Sequence, residues 1–390
     1  MISEPDARAK ILEAVRPLPA RTMSILEAHD QFAAQDYLAR LPLPMFDNSA
    51  MDGYAVIASD CKRGAQLRVI GEQPAGVDRQ LRAEKGTAIR IFTGAPIPAG
   101  ADAVVMQEDV ARSGDEILLN VAVDPGEFIR KRGCDLSEGQ KILSKGDALT
   151  ATKRALLASQ GFEEISVGGE VRAAIISTGD ELAAAGEKLQ AGQIYDSNST
   201  LLHALARNCG ATPAMVEHCR DDSGELRKMF QLASQNELMI VTGGVSVGEH
   251  DLVQGALREL GAKLDIWRVA IKPGKPFLFG KLGKCLVFGL PGNPVSAFVT
   301  FLQFVRPAIL KMMGAADVDL QKLPARLTAD LDNDSDRPHY LRGNLKDGNF
   351  APIGRQESHA LFGLSQSNAL LRVESGKSFK AGDAVEIEIF

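Results

Sequence analysis

One tryptophan and four tyrosines among 390 residues leave little aromatic surface on which bases could stack. Positive charge is also in deficit: 44 Lys and Arg stand against 50 Asp and Glu, a net charge of −6. Nucleic-acid backbones are gripped through clustered cations, so neither feature favours such a partner and none is expected. A small anionic substrate remains compatible, because it needs only a local basic pocket. Five cysteines, Cys61, Cys134, Cys209, Cys219 and Cys285, include no C-x-x-C pair, and the odd count fits reduced thiols and a cytoplasmic location better than a disulfide framework. The six histidines are not paired at metal-ligand spacing, and neither H-E-x-x-H nor a G-x-S-x-G elbow occurs, which removes support for zinc enzymes and serine hydrolases. Residues 1–15 hold three acidic side chains and no apolar h-region, so no signal peptide is expected. The apolar run 298–305 is interrupted by Thr300 and Gln303 and falls short of the roughly 20 residues of a membrane helix, so no membrane partner is expected.

What is present is the material of a packed protein. Hydrophobic residues make up 45% and charged residues 24%, and the length suggests two to four domains rather than one core. Residues 1–40 read as helical, with Ile11, Leu12 and Val15 on one face and a second amphipathic stretch over 25–37. From Pro42 the texture changes to short alternating runs rich in Gly, Pro and Val, a strand-and-turn region. Helical character resumes over 148–166, so the β-rich block reads as an insertion in a discontinuous first domain. From Val171 onward apolar strands alternate with amphipathic helices, one opened by Asn198 or Ser199, implying a largely parallel sheet covered on both faces. Asn293 can cap a further helix with Pro294 at its first position, and Gly314 marks the end of that helix. Strands and turns from residue 320 close the chain. The reading is therefore a multidomain α/β plus β protein: a helical and stranded linker domain (1–45 and 139–170), a β-rich inserted domain (46–138), a doubly wound α/β domain (171–316) and a small C-terminal β-barrel domain (317–390).

Ligands of α/β sheets sit outside the carboxyl ends of the strands, which directs attention to the loops that follow them. Ser177-Thr178-Gly179-Asp180-Glu181 places two adjacent carboxylates at a strand end, suited to Mg²⁺ or an ordered water. Thr178 also precedes Glu181 by three residues, so a helix-capping box accounts for it equally well. Thr242-Gly243-Gly244-Val245-Ser246-Val247-Gly248-Glu249-His250-Asp251 offers backbone amides to an anion, though a glycine turn explains part of it. It is no Walker A loop, because no Lys-Ser or Lys-Thr follows Gly248. Pro291-Gly292-Asn293-Pro294-Val295-Ser296 presents amides and a hydroxyl at a helix entry. Lys272-Pro273-Gly274-Lys275-Pro276 holds two ammonium groups on a stiff loop, either a solvated turn or an oxyanion clamp. In the β-rich block, Phe46-Asp47-Asn48-Ser49-Ala50-Met51-Asp52-Gly53 reads as turns or a binding edge. Arg130-Lys131-Arg132-Gly133-Cys134-Asp135 sets three cations against one carboxylate.

Taken in order, FDNSAMDGYA (46–55), IFTGAPIPAGADAVVMQE (91–108), RKRGCDLSEG (130–139), STGDEL (177–182), TGGVSVGEHD (242–251), IKPGKP (271–276) and LPGNPVSA (290–297) resemble the molybdopterin molybdenumtransferase family, which includes MoeA and the gephyrin E domain. The resemblance spans nearly the whole chain, with Tyr340-Leu341-Arg342-Gly343 and Glu357-Ser358-His359 matching its last domain less distinctly. It implies a homodimer of four-domain subunits and Mg²⁺-dependent insertion of molybdate into adenylyl-molybdopterin, with AMP released. By the same resemblance, Asn48, Ser49, Thr178, Thr242, Gly243, Gly244, Ser246, Pro291, Gly292 and Asn293 contact the pterin phosphate or the nucleotide. Lys272, Lys275, Ser296, Arg342 and Ser358 would receive molybdate. Asp52, Asp135, Glu181 and Asp251 would be the catalytic carboxylates, with Glu181 and Asp251 holding the metal. Partners implied are the molybdopterin adenylyltransferase and downstream molybdoenzyme-maturation proteins. Cys134 stands where relatives commonly carry a polar or acidic residue. Two other readings share the fold: the adenylyltransferase of the preceding step, whose whole chain corresponds to residues 171–315, and a non-catalytic dimeric scaffold.

Overall fold

The computed structural model describes residues 1–244 and 252–390. The described chain separates into two compact units: residues 36–143 with 156–162, and residues 1–35, 144–155 and 163–390.

The inserted unit is built on a six-stranded sheet in the order Ala103–Met106, Gly53–Val56, Thr87–Ile91, Gln66–Gln73, Glu116–Leu119, Val110–Ser113. Successive side chains of a strand point to opposite faces. Tyr54 and Val56 accordingly enter one core with Leu67 and Val105, while Ala55 enters another with Ile89 and Ile91. Gly53 is required by a close approach, since a Cβ there would lie 1.9 Å from the Val105 carbonyl oxygen.

The other unit contains the α/β sheet. Its strands are β1 (Arg172–Thr178), β2 (Thr212–Cys219), β3 (Leu238–Thr242), β4 (Lys263–Trp267), β5 (Leu278–Leu282) and β6 (Cys285–Leu290). The order is β2-β1-β3-β6-β5-β4, with parallel pairing among the first four and an antiparallel β5–β4 edge. Helices α1 (Ser197–Asn208), α2 (Ser223–Ala233) and α3 (Leu252–Glu259) alternate with the strands. Period-two burial divides each strand between two cores. Ile175, Ile240 and Phe288 face Leu202 and Ala206 of α1, whereas Ile176, Val241 and Val287 face Phe230 of α2 and Leu257 of α3. Full burial of such side chains contributes about 1.5–3 kcal/mol each, which makes this doubly wound sheet the rigid base of the unit.

Helix α4 (Pro294–Thr300) begins directly after β6 and continues through a wider five-residue turn, Phe301–Val305, into Arg306–Met312. The apolar segment noted in the sequence is thus part of one helical run, Pro294–Met312, which is long and apolar enough to cross a membrane by length and composition, yet 89% of its apolar window is buried inside the fold. Phe301, Phe304 and Val305 sit in the same core as Phe277 and Phe288, so the hydrophobicity serves packing.

At the C-terminal end, β7 (Lys322–Leu327), β8 (His339–Lys346), β9 (Asn349–Pro352), β10 (Ala369–Val373) and β11 (Ala384–Ile389) close into a barrel in the order β7-β9-β8-β10-β11. Leu341, Phe350, Leu371 and Ile387 fill its interior.

Two expected elements differ. Of residues 1–40 only Glu4–Ala14 is helical, capped by Ser3, whose hydroxyl accepts the Asp6 amide. The amphipathic stretch 25–37 forms no helix. Asp30 takes φ 55°, Phe32 and Ala33 bridge to Ala148 and Val167, and the Ala33 and Ala34 amides donate to Asp147 and Ser166 carbonyls. Pairing with distant strands satisfies the backbone that a helix would otherwise have to satisfy.

Candidate active site

The rim of the α/β sheet is set by strand register. Ser177 pairs with Thr242, and Thr242 with Leu290, so β1, β3 and β6 end side by side. Their following loops therefore emerge together. Glycine makes the convergence possible: Gly243 has φ 85°, and a Cβ on it would meet the Thr178 carbonyl oxygen at 2.3 Å, a spacing no side chain tolerates. Gly292 lies against Gly243 from the third loop, its own Cβ position 3.6 Å from the Gly243 Cα.

These loops open into one cavity of about 1040 Å³, lined among others by Thr178, Glu181, Asn198, Thr242, Gly243, Gly244, Lys272, Lys275, Pro291, Gly292, Asn293, Ser296 and Ser358. The described parts of the STGDEL, TGGVSVGEHD, IKPGKP and LPGNPVSA segments thus share a single crevice. Lys272 is half-buried and Lys275 exposed. The Lys272 amide donates to the Pro338 carbonyl at 2.9 Å, and Tyr340 N–H donates back to the Lys272 carbonyl at 2.7 Å, so the lysine loop is stitched to the start of β8. Asn293 occupies the first position before α4, as expected, but its amide does not cap the helix; Nδ2 donates instead to Ser358 Oγ at 2.9 Å, joining the α/β rim to the barrel segment 355–361.

Several residues of the crevice were not singled out as site residues from sequence. Asn198 donates through Nδ2 to Thr242 Oγ1 at 3.0 Å and to the Gly292 carbonyl at 2.7 Å. The cap of α1 is Asp196, which accepts the Ser199 amide at 3.0 Å, leaving Asn198 free for this task. Arg337 and His339 also line the cavity. His339 is 8% exposed, and burial together with the charges of Lys272, Arg342 and Arg337 lowers its pKa to about 4, so it is a neutral imidazole among cations. A signal existed for it, the S-x-R-x-H spacing just before the Tyr340-Leu341-Arg342 segment, but nothing local distinguishes such a histidine from a solvated one. Buried polar atoms without a partner among the described residues, Ser177 Oγ, Thr178 Oγ1, Asn198 Oδ1 and His339 Nε2, belong to residues of the same crevice. Unmet hydrogen-bonding capacity is costly unless a ligand or water supplies the partner.

Arg342 stands apart from the other expected oxyanion ligands. It is 1% exposed and absent from the lining; its Nη2 donates to the Arg355 carbonyl, and its backbone exchanges bonds of 3.0 Å with the Gln356 side chain. It braces from behind the segment that carries Ser358. The capping-box alternative for Thr178 and Glu181 also fails, because Gly179 at φ 142° leads into a short strand, Leu182–Ala183, paired with Ile194–Tyr195.

Magnesium commonly takes one or two carboxylates and completes its shell with phosphate oxygens and water. Glu181 lines the cavity, and the Asp221 carboxyl is pushed above its usual range by burial and by the neighbouring charges of Asp180 and Glu181, so negative charge gathers at the end of β1. Among the described residues no group of three or more His, Cys, Asp or Glu forms a closed cage. This donor set fits a hard cation shared with a phosphate. Asp251 and Ser246 lie outside the described residues.

The remaining expected residues lie in the inserted unit. Asn48 and Ser49 pair with Arg130 and Ile129 and are buried, so the two polar segments of that unit form one ribbon. Asp52 accepts the amide and hydroxyl of Thr93 at 2.7 and 2.8 Å, which lowers its pKa. The basic run is faced by Asp47 and Glu138 rather than Asp135: Asp47 accepts Lys131 Nζ at 2.9 Å and the Arg132 amide at 2.7 Å, and Glu138 lies 3.8 Å from Arg132 Nη2. Asp135 and Cys134 are exposed.

A doubly wound sheet that gathers glycine loops, helix entries and fixed cations at its carboxyl rim defines an anion-binding α/β enzyme domain. Three family models cover most of the chain: the MoeA N-terminal region (domain I and II) over residues 2–161, a probable molybdopterin-binding domain over 174–311, and the MoeA C-terminal region (domain IV) over 324–390. The molybdopterin molybdenumtransferase of Haemophilus influenzae is 38% identical, covering 100% of this chain and 99% of its own, and that of a Nostoc species is 36% identical over 90% and 84%. The crystal structure of the molybdopterin biosynthesis MoeA protein from Pyrococcus horikoshii OT3 superposes with a TM-score of 0.85 at 29% identity over 100% of both chains. The chain belongs to the molybdopterin molybdenumtransferase (MoeA) family.

Proposed function

We propose that the crevice takes adenylyl-molybdopterin and molybdate and releases molybdenum-molybdopterin and AMP. As a member of its family the chain is a transferase of molybdenum-cofactor biosynthesis. The observation that carries the finer reading is the joint presence, around one cavity, of Lys272 and Lys275 with the glycine loops at Gly243-Gly244 and Gly292.

A tetrahedral dianion is held by fixed cations and hydroxyls, and Lys272, Lys275, Ser296 and Ser358 supply both. The exposed glycines Gly244 and Gly292 after β3 and β6 suit the pterin phosphate, because a backbone donor needs no reorganisation when charge arrives, whereas the Gly243 amide is engaged by the Leu290 carbonyl at 3.3 Å. In the reaction, the two dithiol sulfurs replace one oxo group of molybdate, which leaves with the thiol protons as water. A second water breaks the phosphoanhydride, and AMP departs. Neutral His339 beside the lysines contributes no charge at neutral pH but retains a lone pair for a hydrogen bond. Glu181, with Asp251 as the expected second carboxylate, is suited to hold Mg²⁺, which when bound would neutralise phosphoanhydride charge. The sulfur chemistry belongs to the substrates; the protein binds, orients and screens charge.

Homodimerisation, cytoplasmic residence and contact with an upstream adenylyltransferase and downstream maturation proteins belong to the same proposal, supported by the family resemblance. The test is incubation of the purified chain with adenylyl-molybdopterin, molybdate and Mg²⁺. Molybdate-dependent AMP release is expected; formation of adenylylated pterin from molybdopterin and ATP by this chain alone would assign it to the preceding step instead.

A further inference from the structure

An ionised carboxylate is seldom buried unless it is paired. Glu4, in the first turn of the helix Glu4–Ala14, is 6% exposed. Its Oε1 accepts the Tyr340 hydroxyl at 2.5 Å, and its Oε2 accepts Arg372 Nε at 2.9 Å. Barrel register brings the two donors together. Tyr340 of β8 pairs directly with Arg372 of β10, so their side chains stand next to each other on one face, while the neighbouring Leu341 and Leu371 turn into the barrel interior. Arg372 Nη1 also meets Glu374, which fixes the guanidinium from a second side.

The same N-terminal segment reaches the lysine loop. Ile2–Ser3 pairs in parallel with Val269–Ala270, and the Ile2 amide donates to the Arg268 carbonyl at 3.3 Å. Val269–Ala270 leads directly into Ile271-Lys272-Pro273-Gly274-Lys275, and the Val269 amide donates to the Lys275 carbonyl at 3.2 Å, which ties the two ends of the loop together. Tyr340 joins both arms, since its amide donates to the Lys272 carbonyl while its hydroxyl donates to Glu4. Residues 2–4, 269–275 and 340 thus form a closed circuit. Burial, with the charge of Glu4 next, pushes the Tyr340 phenol well above its usual pKa, so it remains a hydrogen-bond donor.

We propose that Glu4 is a positioning residue for the oxyanion site: through Tyr340 it sets where the Lys272 backbone, and with it the lysine loop, stands against the crevice. The inference rests on the reading that Lys272 and Lys275 receive molybdate. A buried ion pair stabilises a fold little more than apolar packing of the same volume, so what this pair adds is direction. Cations that hold a tetrahedral dianion need that direction, because a shift of about 1 Å in a binding group is felt strongly at the reacting centre.

The test uses the whole chain carrying Tyr340→Phe, which removes only the hydroxyl, or Glu4→Gln, which keeps the side-chain shape and removes the charge. Each should weaken molybdate binding in calorimetry by at least about fivefold while AMP affinity stays within about twofold of the wild type, because the glycine loops lie outside the circuit. Saturating molybdate should restore turnover, so that KM rises and kcat is kept. Amide hydrogen exchange should quicken in peptides spanning 268–277 and 337–342 and stay at the wild-type rate over β3, a local response that general loss of stability does not produce. Tyr340→Phe decides the matter alone should Glu4→Gln fail to fold. Molybdate affinity unchanged in the variants, an equal loss for AMP, or exchange that quickens throughout the fold would overturn the proposal. The underlying reading fails separately, through a Lys272→Ala chain that binds molybdate like the wild type.

Discussion

Asn198 Nδ2 lies 3.0 Å from Thr242 Oγ1, and the same nitrogen donates to the Gly292 carbonyl, so one side chain from the first turn of α1 links the ends of β3 and β6. Asn198→Ala would leave Thr242 with one fewer partner and free the Gly292 loop. A buried hydrogen-bonding loss of about 1–3 kcal/mol is expected in urea unfolding. Turnover should fall further than stability explains, by about 100-fold, because small misplacements of binding groups weigh heavily on rate. An Asn198→Ala enzyme with unchanged turnover would show that the two loops hold their places without it.

Lys272 is half-buried and backed by β8, whereas Lys275 is exposed. Lys272→Ala should weaken molybdate binding about 10- to 100-fold, in line with charge-assisted hydrogen bonds of about 1.5–3 kcal/mol, and Lys275→Ala less. Calorimetric titration with molybdate at two ionic strengths measures both, with the greater salt sensitivity expected for the exposed residue's contribution. The reverse order would place the oxyanion nearer the mouth of the crevice.

Gly243 and Gly64 share a φ of 85° but differ in surroundings, since a Cβ at Gly243 meets the Thr178 carbonyl oxygen at 2.3 Å and one at Gly64 meets nothing within 4 Å. Gly64→Ala should therefore cost about 1 kcal/mol, the left-handed backbone penalty alone. Gly243→Ala should cost more and abolish substrate binding, because the β3 loop must withdraw from β1. Thermal unfolding and AMP affinity of the two variants separate strain from close approach.

His339 titrates near 6.5 in an unfolded chain but near 4 in the folded protein, where burial and three cations oppose its protonation. Between these values the unfolded chain binds more protons, so stability rises with pH across the window and is lost as pH falls from about 6.5 towards 4. His339→Gln removes the titration. Urea unfolding at pH 7 and pH 5 should show a smaller acid-induced loss for His339→Gln than for the wild type; equal slopes would mean that His339 is protonated in the fold.

Several features could be read directly from residue order. The alternation of apolar runs with amphipathic helices after Val171 dictates a two-faced sheet, and the chain builds one. Pro294 after Asn293 announces a helix start, which α4 provides. The stretch 25–37 misled because helical spacing of apolar residues in a short segment has no priority over pairing with strands distant in sequence. For Arg342 the family motif identifies the residue but not the direction of its side chain: Nη2 donates to the Arg355 carbonyl, while Nε and Nη1 are buried without a partner among the described residues.

Glycine positions, proline-framed lysines, strand periodicity and family membership were properties of the chain itself, because each follows from local stereochemistry or from motif order. Which groups meet was a matter of register and closure. The pairing of Ser177 with Thr242 and of Thr242 with Leu290, and the bridge from Lys272 to His339 at the start of β8, join residues 65, 48 and 67 positions apart. Such contacts depend on how a sheet twists and a barrel closes, and no local pattern encodes them.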